Sequence, residues 1–225
     1  LIKNSSELME DLNLWKSEIR KNEEKRDSVL PAGYRIVKKR SDFPKGWDYI
    51  VGRGINPDKV VFGKDRNELE VIFPVYEQGK PVYWQARDIT GMFKQKTRNP
   101  AIKKERFLFG LDEVYENDVL ILVEGIFDRY HSAGVAVFGK TLSSEQVAKI
   151  YYKRPSLVIV CFDSDAHDQV EQTTLILSRR GLLTVPVFLS EGDPAEIGYK
   201  ALFELFSRTI LDSRLSGFFQ LASLS

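Results

Sequence analysis

Four largely apolar runs in the second half of the chain constrain its fold more than any other feature. Val119-Leu120-Ile121-Leu122-Val123 is a continuous apolar run, and Val135 to Phe138, Leu157-Val158-Ile159-Val160-Cys161-Phe162 and Leu182 to Leu189, the last carrying Thr184, read as three further strands. A strand without alternation is buried on both faces. Between the runs lie helical segments. The residues after Gly125 are helical, and so is Ser143 to Ile150 with Ser143 or Ser144 as N-cap. Asp168 to Arg180 is stopped by Gly181, and Ala195 to Ile210 is the last clear helix. Strands alternating with helices predict an α/β fold, a parallel sheet with helices on both faces.

The first half follows other rules. Ser5 to Asp27 reads as a helix, because Leu8, Leu12, Trp15 and Ile19 recur on one face and charges occupy the other. Leu30 to Arg66 is mixed and punctuated by Pro31-Ala32-Gly33, Pro44-Lys45-Gly46 and Gly52-Arg53-Gly54. Strands near 71–89 form a hairpin, Val71 to Tyr76 and Val82 to Ile89, around Glu77-Gln78-Gly79-Lys80. The expected division is a smaller basic α+β subdomain over 1–118, a parallel-sheet subdomain over 119–211 and a tail over 212–225. Leu1, where an initiator Met would stand, suggests a fragment or a processed chain.

With 225 residues, 43% hydrophobic and 29% charged, the composition is that of a globular protein and excludes long-range disorder and a collagen-like fold. No window approaches the roughly 20 apolar residues of a membrane span, and the opening residues are not a secretory signal; no membrane partner is expected. One cysteine, Cys161, permits neither an internal disulfide nor a Cys-rich zinc site, and two histidines are too few for a histidine-based centre. Any bound metal must be held by carboxylates, which selects Mg²⁺ or Mn²⁺.

The balance of 33 Lys+Arg against 32 Asp+Glu conceals a division. From Lys80 to Arg106 the bases are Lys80, Arg87, Lys94, Lys96, Arg98, Lys103, Lys104 and Arg106, opposed by Asp88 and Glu105, with Tyr83, Trp84, Phe93 and Phe107 between them. Bases interleaved with aromatics suit a nucleic-acid backbone and unstacked bases. They equally suit a solvated sheet face whose aromatics lie in the core. Downstream, acids fall where strands end. Glu124 follows the first run, Asp163 and Asp165 follow the third, and Asp193 follows the fourth. Ligands collect at that edge of an open α/β sheet. Carboxylates gathered there repel one another unless a cation compensates them. Other roles compete. Asp193, ahead of Pro194 and Glu196, has the pattern of an N-cap with a capping-box acid. Asp128 could pair with Arg129 instead of serving the cluster. His167 reads as a solvent-facing residue at a helix start, His131 as a helix-surface or half-buried residue, and Cys161 as a core hydrophobe.

Glu-Gly after a buried strand, with Asp-x-Asp after a later one, resembles the Toprim domain shared by bacterial-type primases, topoisomerases, OLD-family nucleases and recombination mediators. Within that group the chain resembles the RNA-polymerase domain of a bacterial or phage replicative DNA primase (DnaG-type). Glu124-Gly125-Ile126-Phe127-Asp128 matches the primase Glu-Gly-aromatic-x-Asp motif, and Gly192-Asp193-Pro194-Ala195-Glu196 resembles the third acidic motif. Lys96-Thr97-Arg98-Asn99-Pro100, Leu108-Phe109-Gly110-Leu111 and the Arg87 segment resemble the basic subdomain that precedes Toprim. The likeness spans roughly Val71 to Phe206. Two positions depart from the pattern. Ala166-His167-Asp168 stands where the family carries a basic residue and a glycine, and Ala195 stands where the third motif carries its second Asp. The zinc-ribbon and helicase-binding domains of replicative primases have no counterpart in these residues, so the resemblance does not extend to template-sequence recognition or helicase docking.

The resemblance implies a Toprim-like parallel-sheet domain preceded by a smaller basic α+β subdomain. It also implies DNA-dependent synthesis of short RNA primers by two-metal nucleotidyl transfer. Glu124, Asp163 and Asp165 are then catalytic, and Glu124, Asp163, Asp165, Asp193 and Asp128 form the Mg²⁺ or Mn²⁺ site. Arg87, Lys96, Arg98, Lys103, Lys104 and Lys140 contact nucleic acid or nucleotide. The implied partners are a single-stranded DNA template, ribonucleoside triphosphates and a replicative helicase reached through absent regions. The implied location is the cytoplasm of a bacterial cell or a phage-infected host. Two rivals use the same residues: a Toprim-type nuclease, and a non-catalytic single-stranded-DNA-binding module with a degenerate site. A topoisomerase would need a large tyrosine-bearing domain for which 225 residues leave no room.

Overall fold

A computed structural model describes residues 29–222, which divide into two compact units, 29–107 and 108–222. The helix expected over Ser5 to Asp27 lies outside the described residues.

Unit 29–107 is built on an antiparallel sheet with strands in chain order: β1 (Arg35–Ile36), β2 (Gly63–Lys64), β3 (Glu70–Glu77), β4 (Lys80–Asp88) and β5 (Thr97–Arg98). Helix α1 (Pro44–Gly52) lies between β1 and β2 and starts with proline, whose fixed φ suits a first helical position. The expected hairpin is β3–β4. Its two-residue turn has left-handed φ at both Gln78 (54°) and Gly79 (74°), the backbone whose twist matches a right-handed strand pair. Val71, Ile72, Phe73 and Val75 of β3 are buried together with Tyr83, Trp84 and Ala86 of β4. This settles the reading of most interleaved aromatics. Tyr83 stacks on Phe107 at 4.7 Å, and the Trp84 indole N–H donates to the Val29 carbonyl at 3.0 Å. These are core residues, while Phe93 is exposed.

Unit 108–222 is the α/β unit that the apolar runs predict. Its elements are β6 (Val119–Val123), α2 (Ile126–Ser132), β7 (Val135–Ala136), α3 (Ser144–Lys153), β8 (Leu157–Val160), α4 (His167–Ser178), β9 (Thr184–Pro186), α5 (Pro194–Ile197) and α6 (Tyr199–Ala222). The sheet is parallel throughout, in the order β7-β6-β8-β9. Both faces are covered. Leu120, Leu122, Val158 and Val160 pack with Val147 and Ile150 of α3 and Val170 and Leu177 of α4. Leu157 and Ile159 pack instead with Leu202 and Phe206 of α6. Each fully buried aliphatic side chain contributes about 1.5–3 kcal/mol.

Several elements end earlier than the apolar runs do. β7 stops at Ala136 because Phe138 turns into left-handed backbone at φ 61°. β9 is three residues long and lies at the sheet edge, where Pro186 costs no ladder bond on its open side. The single helix expected over Ala195 to Ile210 is two, α5 and α6, broken at Gly198 with φ 79°, and α6 continues to Ala222.

Candidate functional site

The chain runs from β6 to β7 on one side of β6, then crosses to β8 on the other. The carboxyl ends of β6 and β8 therefore flank the point where the strand order reverses, and a crevice opens there in sheets of this kind. Glu124 follows β6 directly. Asp163 and Asp165 sit on the turn after β8, closed by the Ala166 N–H donating to the Asp163 carbonyl at 2.9 Å. Carboxylate oxygens of Glu124, Asp163 and Asp165 lie within 4.8 Å of one another. The Asp163 backbone N–H donates to Glu124 Oε1 at 3.2 Å and ties the two strand ends together.

Asp128 and Asp193 are not members of that trio, and the structure gives each a backbone to hold. Asp128 Oδ2 accepts from the Gly125 N–H at 2.8 Å and caps α2. It also accepts from the Ala195 backbone, so one buried carboxyl joins the starts of α2 and α5. Gly125 is required by this approach: a Cβ there would stand 2.8 Å from Asp128 Oδ2. Arg129, the alternative partner of Asp128, pairs with Glu113 and lies over the rings of Phe109 and Tyr130 at 5.0 and 4.9 Å. Asp193 is the expected N-cap of α5, its Oδ1 accepting from the Glu196 N–H at 2.7 Å. Its loop is fastened to the acidic turn by the Ser164 N–H, which donates to the Gly192 carbonyl at 2.9 Å.

Burial and mutual repulsion govern the electrostatics. Burial, then the neighbouring Asp163 carboxylate, pushes the Glu124 carboxyl up to about 7. Burial, then Asp163 and Asp193, pushes Asp128 up to about 6. Asp163 is raised by burial and by Asp193 and Asp165. Asp165 is the exception. Lys140 Nζ donates to its two oxygens at 2.6 and 2.7 Å and holds its carboxyl below the usual range. Asp163 Oδ1 is buried and has no hydrogen-bond partner. An orphaned anionic oxygen within a trio of clustered carboxylates fits a hard divalent cation, which needs oxygen ligands and would satisfy it.

The remaining residues fall as follows. His167 starts α4, is exposed, and has Nε2 3.1 Å from the Leu189 carbonyl oxygen. His131 is half-buried. Cys161 is buried, and burial pushes its thiol up to about 12, as suits a core residue. The Lys140–Asp165 pair was not anticipated from the sequence. Its partners are 25 residues apart on loops after different strands, with no motif to join them.

Apart from Lys140, the candidate basic residues belong to unit 29–107. Antiparallel pairing sets Arg87 opposite Thr97 and Ala86 opposite Arg98, so Arg87 and Arg98 lie on opposite faces of the β4–β5 pair. Arg87 Nη1 donates to Thr97 Oγ1 at 3.1 Å. Arg98 is engaged by Glu70, with Nε donating at 2.8 Å, by Asp65 at 3.6 Å, and by the Trp84 ring at 4.9 Å. Lys96 and Lys103 are exposed and Lys104 is half-buried. Asp88 is occupied locally, its carboxylate accepting from Thr90 and Phe93 and held below the usual range by those bonds.

No family model and no curated protein sequence matches the chain. Solved structures do. The zinc-binding and RNA polymerase domains of the Aquifex aeolicus primase match at 24% identity and a TM-score of 0.54, over 88% of this chain and 55% of that one. The chain thus spans little more than half of that structure. The primase fragment of the bacteriophage T7 primase-helicase matches at 16% identity and a TM-score of 0.57, covering 82% of this chain and 84% of the fragment. Primase domains in a complex of the T7 lagging-strand DNA polymerase, bound to an RNA/DNA hybrid and dTTP, match at 16% identity and a TM-score of 0.53, covering 84% and 96%. A parallel four-stranded sheet, an antiparallel sheet and their helices give this chain the mixed α/β fold of the bacterial and phage DNA primase domains.

Proposed function

We propose that the chain is the catalytic core of a DNA primase, making short RNA primers on single-stranded DNA from ribonucleoside triphosphates. The observation that carries this reading is the meeting of Glu124, Asp163 and Asp165 at the switch point, with Asp163 Oδ1 buried and unsatisfied. The likeness to primase structures, one of them bound to an RNA/DNA hybrid and dTTP, supports it.

In this reading Glu124, Asp163 and Asp165 hold Mg²⁺ or Mn²⁺. When bound, the ions neutralise charge on the attacking and leaving oxygens of phosphoryl transfer. The chain's own task is placement. Glu124, fixed to the Asp163 backbone, and Asp163, fixed by its turn, present carboxylates that need no rearrangement. Asp128 and Asp193 hold α2 and α5 and add negative potential behind the trio. Arg87, Lys96, Arg98, Lys103 and Lys104 carry the template or triphosphate through phosphate contacts, which position nucleic acid without reading its sequence. A helicase partner and a cytoplasmic setting in a bacterial cell or phage-infected host belong to the same proposal.

Incubation with a single-stranded template, labelled ribonucleotides and Mn²⁺ or Mg²⁺ tests it. Oligoribonucleotide products are expected. Shortened DNA would identify a nuclease, and binding without either product a non-catalytic module.

A further inference from the structure

We propose that Lys140 is a built-in counter-ion, which occupies Asp165 while the acidic trio lacks a divalent cation and passes to a nucleotide phosphate when such an ion takes Asp165. Metal uptake and triphosphate binding are then coupled through one side chain. The inference rests on the metal site read above and adds an exchange to it.

Lys140 Nζ lies 2.6 and 2.7 Å from the two carboxylate oxygens of Asp165, so the ammonium engages both. Asp165 is also one of the three residues whose oxygens fall within 4.8 Å of one another. A dication among those oxygens stands a few ångströms from the ammonium, where like charges repel steeply. The two cations compete for Asp165.

The loop bearing Lys140 is suited to the exchange. Its base is fixed, because the Val137 and Phe138 N–H groups donate to the Val123 and Glu124 carbonyls, both at 3.0 Å, across the end of β6. Phe138 is buried and held in left-handed backbone. Two residues later the pair is open to solvent: the Lys140 side chain is 38% and that of Asp165 73% exposed. Pairs this open contribute little, so a divalent ion displaces the ammonium at small cost. A displaced Lys is a compact point charge on a flexible stem, suited to a phosphate.

Two titrations test the exchange without reading activity. Mn²⁺ binding, followed by electron paramagnetic resonance, should be about three- to fivefold tighter in Lys140→Met than in the parent chain, the range set by loss of an exposed pair. Lys200→Met, which removes the same charge from exposed α6, should leave it unchanged. In EDTA, Asp165→Asn should bind a fluorescent ribonucleoside triphosphate analogue about three- to fivefold more tightly than the parent, because Lys140 is released. Adding Lys140→Met to Asp165→Asn should abolish that gain. Equal Mn²⁺ affinity in Lys140→Met and the parent overturns the exchange, as does equal tightening by Lys200→Met or a gain that survives in the double variant. Failure of every form to take up Mn²⁺ overturns instead the metal-site reading on which it rests.

Discussion

Glu124 occupies a position that is costly to charge. Half-buried and facing Asp163, its carboxyl is pushed up to about 7. The proposed role of Glu124 and the stability of the fold therefore pull in opposite directions at this residue. Glu124→Gln should raise the melting temperature of the metal-free protein at pH 8, because it keeps the acceptor for the Asp163 N–H and removes the repelled charge. In a primer-synthesis assay, Glu124→Ala and Asp163→Ala should each lower the rate by about 10²- to 10³-fold, the scale for losing a preorganised electrostatic group. Binding of single-stranded DNA, followed by anisotropy, should stay within about twofold; equal loss of both properties would count against catalytic roles. These acids were legible in the sequence because each directly follows a buried apolar run. Asp193 was legible as a cap because Pro194 and Glu196 follow it at the required spacing. Lys140 and its pairing with Asp165 were not, since no local pattern encodes a contact between two loops.

Local chemistry also decides where elements start and stop. Ser143 caps α3 in a reciprocal box: its Oγ accepts from the Gln146 N–H at 3.1 Å, while Gln146 Oε1 accepts from the Ser143 N–H at 3.0 Å. Ser143→Ala should cost about 1 kcal/mol in urea unfolding. Gly79 closes the β3–β4 turn at φ 74° with no neighbour that a Cβ would strike, so Gly79→Val should cost about 1–2 kcal/mol from backbone strain alone. The turn dipeptide and the cap were both readable from short sequence signals. The early end of β7 and the break between α5 and α6 were not. Phe138 takes a left-handed backbone that its residue type disfavours, under backbone bonds to the end of β6. Propensity and periodicity are blind to such an override.

Across the molecule, the clustered acids make stability depend on pH. The folded chain keeps Glu124 and Asp128 protonated up to about 7 and about 6, above their ordinary values of 4.5 and 3.8. The folded state then binds more protons than the unfolded one across that interval, so stability falls as pH rises through it and levels off above. Calorimetry of metal-free protein should show a lower melting temperature at pH 8 than at pH 5. Mn²⁺ should raise it more at pH 8, where the ligands are deprotonated and the ion offsets their repulsion. Replacing Lys96 and Lys103 together with Met should weaken single-stranded DNA binding and reduce the slope of its salt dependence by about one to two phosphate contacts. An unchanged slope would remove those residues from the interface. By itself the amino-acid order determined the α/β class, the hairpin and the placing of acids at strand ends, because period, apolar runs and turn residues are local and act over a few positions. Only the tertiary structure decided which carboxylates meet, that Asp128 joins the starts of α2 and α5, and that Tyr83 and Trp84 lie inside the sheet's core. Those outcomes depend on strand order and long-range packing, where partners distant along the chain compete for the same oxygen atoms and the same buried space.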